Sequence, residues 1–266
     1  MKALMFAAGT AGALLLVSGQ SSLPPSQGTF QQQTLTLGRD AYRYQVFLPA
    51  GWHPRKSWPV VLFLHGNGER GDDGWRQTVV GIGPAIRRNP ERVPAIVVLP
   101  QCRRGMWWTH IRMERLALAA LEASVRDFGG DPTRIFLTGI SMGGYGTWSL
   151  AAKHPGTFAA LAPICGGVVP PPGVKVPEDH PPVKFSPDPY RSMAVRIGPT
   201  PVWIFHGTDD PRVPVSESRR MAGALRALGK PVRFSEYAGV GHDSWERAYA
   251  EPDLFPWLLS HRSVGP

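Results

Sequence analysis

Tyr42, Tyr44, Val46 and Leu48 alternate with Arg43, Gln45 and Phe47. A period near two predicts an early antiparallel strand. Further along, apolar residues come in short, nearly unbroken runs at 60–64, 95–99, 135–137, 158–164 and 202–205. Strands buried on both faces read this way, as in a parallel sheet. Val232–Tyr237 predicts the last strand. Helical spacing separates these runs. Ile111, Leu118, Leu121, Val125 and Phe128 recur at intervals of three, four and seven and stop at Gly129-Gly130. Met221, Leu225 and Leu228 repeat the pattern before Gly229, with Ser216 as the expected cap. Strands alternating with helices predict an α/β fold with a mostly parallel central sheet flanked by helices.

One stretch departs from that rhythm. Residues 167–201 are dense in proline and show no clear period. The strand pattern resumes at Val202, and the chain beyond is too short for a core of its own. The stretch is therefore expected to be a long loop inserted in one domain, and loops of this length usually serve function. Its ends should lie at the edge of the sheet that carries the chemistry, with Phe185, Tyr190 and Met193 offering apolar contacts over a pocket.

Apolar residues make up 42% of the 266 residues and charged residues 18%, which suits a full core and excludes a disordered chain. The net charge is +9. Its arginines are scattered, with Arg87-Arg88, Arg103-Arg104 and Arg219-Arg220 the tightest pairs, and no nucleic-acid motif accompanies them. The excess reads as a solvated basic surface, and no nucleic-acid partner is expected. At the start, Lys2 precedes an apolar stretch over 3–17, and Ser18 and Gly19 follow. This order predicts a signal peptide over 1–19, a mature single domain over 20–266, and a secreted or periplasmic protein with no stable membrane association after cleavage. Residues 21–33 read as a polar lead-in. The two cysteines, Cys102 and Cys165, follow strands that should not be neighbours. They are expected to be free, buried thiols.

The chemistry centres on Gly139-Ile140-Ser141-Met142-Gly143, a G-x-S-x-G element between an apolar run and a helical pattern. That context makes a nucleophile elbow: the glycines permit a sharp strand-to-helix turn, and Ser141 is left on its crest. A serine hydroxyl needs a base, and a base needs an orienting carboxylate. His242, in Gly-Val-Gly-His-Asp after the last strand, is the expected base. Asp209 and Asp210, after the 202–205 strand, compete for the acid, with Asp243 a third choice. Nucleophile, acid and base then fall in α/β-hydrolase order along the chain. His65 and His206 are expected to pin loops at strand ends. One oxyanion donor should be the N–H of Met142. The other should come from the glycine-rich loop after 60–64, with Asn67 N–H first choice and Gly66 or Gly68 the alternatives. No metal and no organic cofactor is required.

The segments VVLFLHGNGERGDD, LPQCRRGMWW, IFLTGISMGGYGTW, PICGG, IFHGTDDPRVPV and EYAGVGHDSWERAY resemble those of secreted α/β-hydrolase esterases often labelled predicted peptidases. This group is similar to the phospholipase/carboxylesterase and polyhydroxybutyrate-depolymerase-like families. The resemblance runs from about Val60 to Leu259. It implies the α/β-hydrolase fold, an acid at Asp210, a base at His242, and Trp107, Trp108 and Trp245 near the pocket, with Trp108 and Trp245 touching substrate. It also implies cleavage of a small-molecule or polymer-derived carboxylic ester through an acyl-enzyme. A serine peptidase with the same triad is the alternative, and a non-catalytic surface binding protein that kept the fold is a second one. Residues 167–201 look longer than is typical of the group.

Overall fold

A computed structural model describes residues 27–170 and 186–263. Its strands are β1 (Thr29–Leu37), β2 (Asp40–Leu48), β3 (Trp58–Leu64), β4 (Ile96–Pro100), β5 (Gly130–Ile140), β6 (Ala160–Ile164), β7 (Val202–Gly207) and β8 (Val232–Tyr237). Its helices are α1 (Ile82–Arg88), α2 (Ile111–Phe128), α3 (Met142–Lys153), α4 (Pro189–Arg196), α5 (Ser216–Ala227), α6 (Trp245–Ala250) and α7 (Leu254–Leu259). The strands form one eight-stranded sheet in the order β1-β2-β4-β3-β5-β6-β7-β8. The pairs β1–β2 and β2–β4 are antiparallel, and every other pair is parallel.

The unbroken apolar runs are explained by cover on both faces. Val60, Leu62 and Leu64 of β3 point into one core with α2, α3, α4 and α5. Val61 and Phe63 point into the other, with α1, α6 and α7. A strand with water on one face would alternate; this one cannot. Helix α2 is capped by the His110 side chain, which accepts from Arg112 N–H at 3.1 Å, and it ends at Gly129 in the left-handed conformation (φ 73°). Its buried stripe is Met113, Leu116, Ala117, Ala120 and Leu121, whereas Ile111 is 39% exposed. The helix stands where the spacing predicts, but its inward face is turned, because small alanines carry much of the contact.

Three expectations are corrected. The supposed lead-in contains a strand: β1 pairs with β2 along its whole length, from Thr29↔Leu48 to Leu37↔Asp40. It is an edge strand held chiefly by backbone bonds, so its glutamine-rich sequence carries little apolar signal. Ser216 is the first residue of α5 and makes no capping bond. Finally, residues 186–201 are not an irregular loop. Asp188 accepts from Arg191 N–H at 2.9 Å, Pro189 opens the first turn, and α4 follows. Tyr190, Met193, Ala194 and Ile197 are buried in the core shared with α3 and α5. Two parallel strands need a crossover, and α4 supplies it between β6 and β7. Tyr190 and Met193 thus face the core rather than a pocket. Phe185 and the rest of 171–185 lie outside the described residues, as does the expected signal peptide. Among the described residues no helix is long and apolar enough to cross a membrane.

Cys102 follows β4 and Cys165 follows β6, with β3 and β5 between those strands. Both thiols are free and buried, as expected.

Candidate active site

Parallel pairing brings the carboxyl ends of β3, β5, β6, β7 and β8 to one edge. Registers Leu64↔Gly139, Ile140↔Ile164, Ile164↔Phe205 and Gly207↔Tyr237 set those ends side by side. The chain then turns at Ser141 with φ 52° and ψ −116°, a left-handed geometry that costs an L-residue energy. The flanking glycines make the turn possible. A β-carbon on Gly143 would sit 1.8 Å from Leu64 O, and one on Gly139 would sit 2.4 Å from Gly143 O. The turn is held by Ser141 N–H donating to Ile164 O at 3.0 Å and by Gly144 N–H donating to Ser141 O at 2.8 Å.

His242 arrives on the loop after β8. Gly239 N–H donates to Thr208 Oγ1 at 2.8 Å, and Asp209 N–H donates to Val240 O at 3.0 Å. Beneath them, Gly207 leaves room that a side chain would fill, since its β-carbon would meet Val240 O at 2.2 Å. The imidazole bridges two partners, with Nε2 2.8 Å from Ser141 Oγ and Nδ1 2.7 Å from Asp210 Oδ2. Trp245 packs edge-on against the ring, centroids 5.5 Å apart.

The competition between the two aspartates is resolved by exposure and direction. Asp209 is exposed and accepts from the Thr208 hydroxyl. Asp210 is buried, and four donors converge on it. Oδ1 accepts from Arg212 and Val213 N–H at 2.8 and 2.9 Å; Oδ2 faces His242 Nδ1 and His206 Nε2 at 2.7 and 3.2 Å. Burial alone would raise this carboxyl. His206, His242 and the two backbone donors outweigh it and hold the group far below the usual carboxylate range. Asp210 is therefore an anion with a set orientation.

On the other side of Ser141 lies the loop after β3. Its anchor is His65, fully buried, whose Nδ1–H donates to Gly66 O at 2.6 Å while Nε2 accepts from Cys102 N–H at 2.9 Å. Trp108 Nε1–H donates to His65 O at 2.9 Å. Asn67 opens a 3-10 turn, Asn67–Glu69, and Met142 opens α3. The first N–H groups of a helical turn have no partner within it, so both are available to a ligand. The buried Glu69 carboxyl is pushed up by burial, opposed by the backbone N–H groups of Glu69 and Gly66. Arg70 Nε–H in turn donates to Asn67 O at 3.0 Å.

Of the expected site residues, Ser141, Asp210 and His242 meet by direct bonds, and Asn67 and Met142 open the adjoining turns. Trp245 stays beside His242. Trp108 departs from expectation: it is 2% exposed, packed in the core edge-on to His65, and its indole N–H is spent on the backbone. Trp107 lies edge-on to Tyr145. Missed in the sequence was the partner of His206, whose Nδ1 lies 2.7 Å from Ser218 Oγ. Missed too was Glu217, whose carboxylate accepts from Val168 N–H, Val169 N–H and the Tyr190 hydroxyl at 2.9, 3.0 and 2.5 Å. Neither pairing leaves a local pattern, because α5 carries both residues to partners on other elements.

The side chains of Cys165, Asp210 and His242 place ligand-type atoms within 4.8 Å of one another. The bond between Asp210 and His242 accounts for that closeness. Burial raises the Cys165 thiol far above its ordinary range.

A mostly parallel sheet with Ser141 on the sharp turn after β5, and Asp210 and His242 on the loops after β7 and β8, has the α/β-hydrolase fold. The dienelactone hydrolase family model matches residues 100–251, more than half of the chain, and the chain belongs to that family. It is 29% identical over 178 residues to a poly(3-hydroxyoctanoate) depolymerase of Pseudomonas fluorescens, covering 56% of this chain and 61% of that one. It is 38% identical over 56 residues to acyl-protein thioesterase 1 of Gibberella zeae, covering 21% of this chain and 24% of that one. A crystal structure of a thermostable esterase superposes with a TM-score of 0.73 at 29% identity, over 88% of this chain and 63% of that one. The chain thus spans less than two thirds of the length of each of these relatives.

Proposed function

We propose that this protein is a serine hydrolase that cleaves carboxylic esters through an acyl-enzyme. The observation that carries the reading is the unbroken chain from Ser141 Oγ through His242 to Asp210, at 2.8 and 2.7 Å, mounted on the elbow. His242 removes the Ser141 proton as the hydroxyl attacks the ester carbonyl, and returns it to the leaving alcohol. Asp210 keeps the Nδ1–H tautomer and stabilises the imidazolium that forms. Met142 N–H and Asn67 N–H receive the developing oxyanion. Water then enters, gives a proton to His242 and releases the acid. Trp245 borders the base and supplies an apolar surface for substrate.

The ester as substrate is supported by the names of the relatives, and a small-molecule or polymer-derived ester is the proposed partner. Export through the 1–19 segment completes the proposal. The test is labelling with a fluorophosphonate probe, followed by paired assays on an ester and its matching amide. Wild type should be labelled at Ser141 and prefer the ester; Ser141→Ala should be unlabelled, with kcat lowered roughly 10⁴-fold or more. Faster turnover of the amide would make the protein a peptidase. An unlabelled wild type would favour a binding protein.

A further inference from the structure

The triad does not end at Asp210. His206, the residue that closes β7 before Gly207, is fully buried, and both its nitrogens are engaged. Nε2 lies 2.9 Å from Val213 O and 3.2 Å from Asp210 Oδ2, while Nδ1 lies 2.7 Å from Ser218 Oγ. A carbonyl and a carboxylate are both acceptors, so Nε2 carries the proton. A neutral ring then leaves Nδ1 bare, and the Ser218 hydroxyl donates to it. Ser218 is itself buried, in the first turn of α5.

We propose that Ser218 and His206 are positioning residues that continue the active-site chain inward, as a relay of five side chains: Ser218, His206, Asp210, His242 and Ser141. The geometry gives each member one task. Ser218 selects the Nε2–H tautomer of His206. The one Nε2–H of His206 is shared: it bonds to Val213 O at 2.9 Å and faces, at 3.2 Å, the carboxylate oxygen that also receives His242, and so helps hold that oxygen in place. With Arg212 and Val213 N–H on Oδ1, every acceptor site of Asp210 is filled. An aspartate with a missing donor would be free to turn, and a more concentrated charge on Oδ2 would favour the imidazolium of His242. His206 therefore sets both the aim of Asp210 and how strongly it pulls on the base. Tyr145, Cys165, Glu236 and Asp243 also lie around this chain, and none of them hydrogen-bonds to Asp210 or His242.

The inference rests on the hydrolase reading for its kinetic consequences, and a readout independent of turnover is therefore included. Three variants suffice: Ser218→Ala, His206→Phe and His206→Gln. His206→Phe should lower kcat by roughly 10- to 100-fold with KM little changed, and shift the acidic limb of the kcat/KM profile upward by about half a pH unit. Ser218→Ala should do the same more weakly, with kcat down about threefold or more. His206→Gln, whose amide N–H can reach Asp210, should recover most of the loss. The far-downfield proton resonance of His242 Nδ1–H should move in His206→Phe and Ser218→Ala and return toward wild type in His206→Gln. If His206→Phe does not fold, Ser218→Ala decides by itself, since it removes one oxygen from a helix. Wild-type kcat, profile and resonance in Ser218→Ala would overturn the relay. Fluorophosphonate labelling judges the hydrolase reading separately, and the resonance judges the relay whichever way labelling falls.

Discussion

The dipeptide His-Gly occurs at the end of β3 and again at the end of β7, and the two copies do different work. His65 and His206 are both fully buried, at the same edge of the sheet, with both ring nitrogens occupied. His65 bonds only to backbone: Gly66 O in its own loop and Cys102 N–H at the end of β4. It fastens one loop to its neighbour. Burial lowers its pKa to about 4, so it remains neutral across the physiological range. His206 meets side chains, Ser218 and the ionised Asp210, as well as Val213 O. The same residue in the same topological place is a rivet when its partners are amides and a regulator of charge when its partner is a carboxylate.

The largest expected effect tests the second loop. Asp210→Asn replaces an acceptor facing two histidines with an amide, and kcat should fall by about 10⁴-fold. Asp209→Asn, at an exposed position, should stay within a factor of about two. Steady-state kinetics on both variants checks the assignment, and the reverse ranking would move the acid to Asp209.

Next comes the rivet. His65→Leu leaves Gly66 O and Cys102 N–H buried without partners, and should cost about 3 kcal/mol in urea unfolding. His206→Gln should cost clearly less, because its amide can keep a bond to Asp210. Equal losses would erase the distinction between the loops.

His65 should also make stability depend on pH. In the unfolded chain the ring takes up a proton below about pH 6.5; in the folded protein it refuses one until about 4. Between those values the unfolded state binds more protons. Stability from this group is therefore full above pH 6.5 and falls as pH drops toward 4, by roughly 3 kcal/mol. Urea unfolding at a series of pH values should show that slope in wild type and a shallower one in His65→Leu.

The smallest effect belongs to Trp108→Phe. It deletes the indole donor to His65 O and should cost about 1 kcal/mol. The acidic limb of the activity profile should not move, since Trp108 supports the loop of the rivet alone. A moved limb would mean that Trp108 reaches the reacting groups after all.

Much of this site is readable in one dimension because its parts are local. The elbow is five consecutive residues whose glycines are demanded by contacts at 1.8 and 2.4 Å, so the motif and its turn imply each other. Doubly buried strands announce themselves as apolar runs, and the order of Ser141, Asp210 and His242 follows from the order of the strands. Legibility fails where a local signal is weak. β1 is held by backbone pairing at an edge, and α4 is a two-turn helix whose Asp188-Pro189 start signal is lost among prolines.

The sequence by itself determined the class of fold and singled out Ser141, His242 and the Asp209-Asp210 pair as candidates, since each rests on neighbours a few residues apart. Only the tertiary structure set Asp210 rather than Asp209 against His242, put Trp108 in the core, and joined Ser218 to His206 of β7 and Glu217 to Val168 and Tyr190. The physical reason is direction. Composition and spacing report which groups are present and which face of an element they share. A hydrogen bond, however, requires a donor aimed at an acceptor within about 3 Å. For residues brought together by different strands and helices, that aim exists only once the sheet has closed its order and the helices have packed across it.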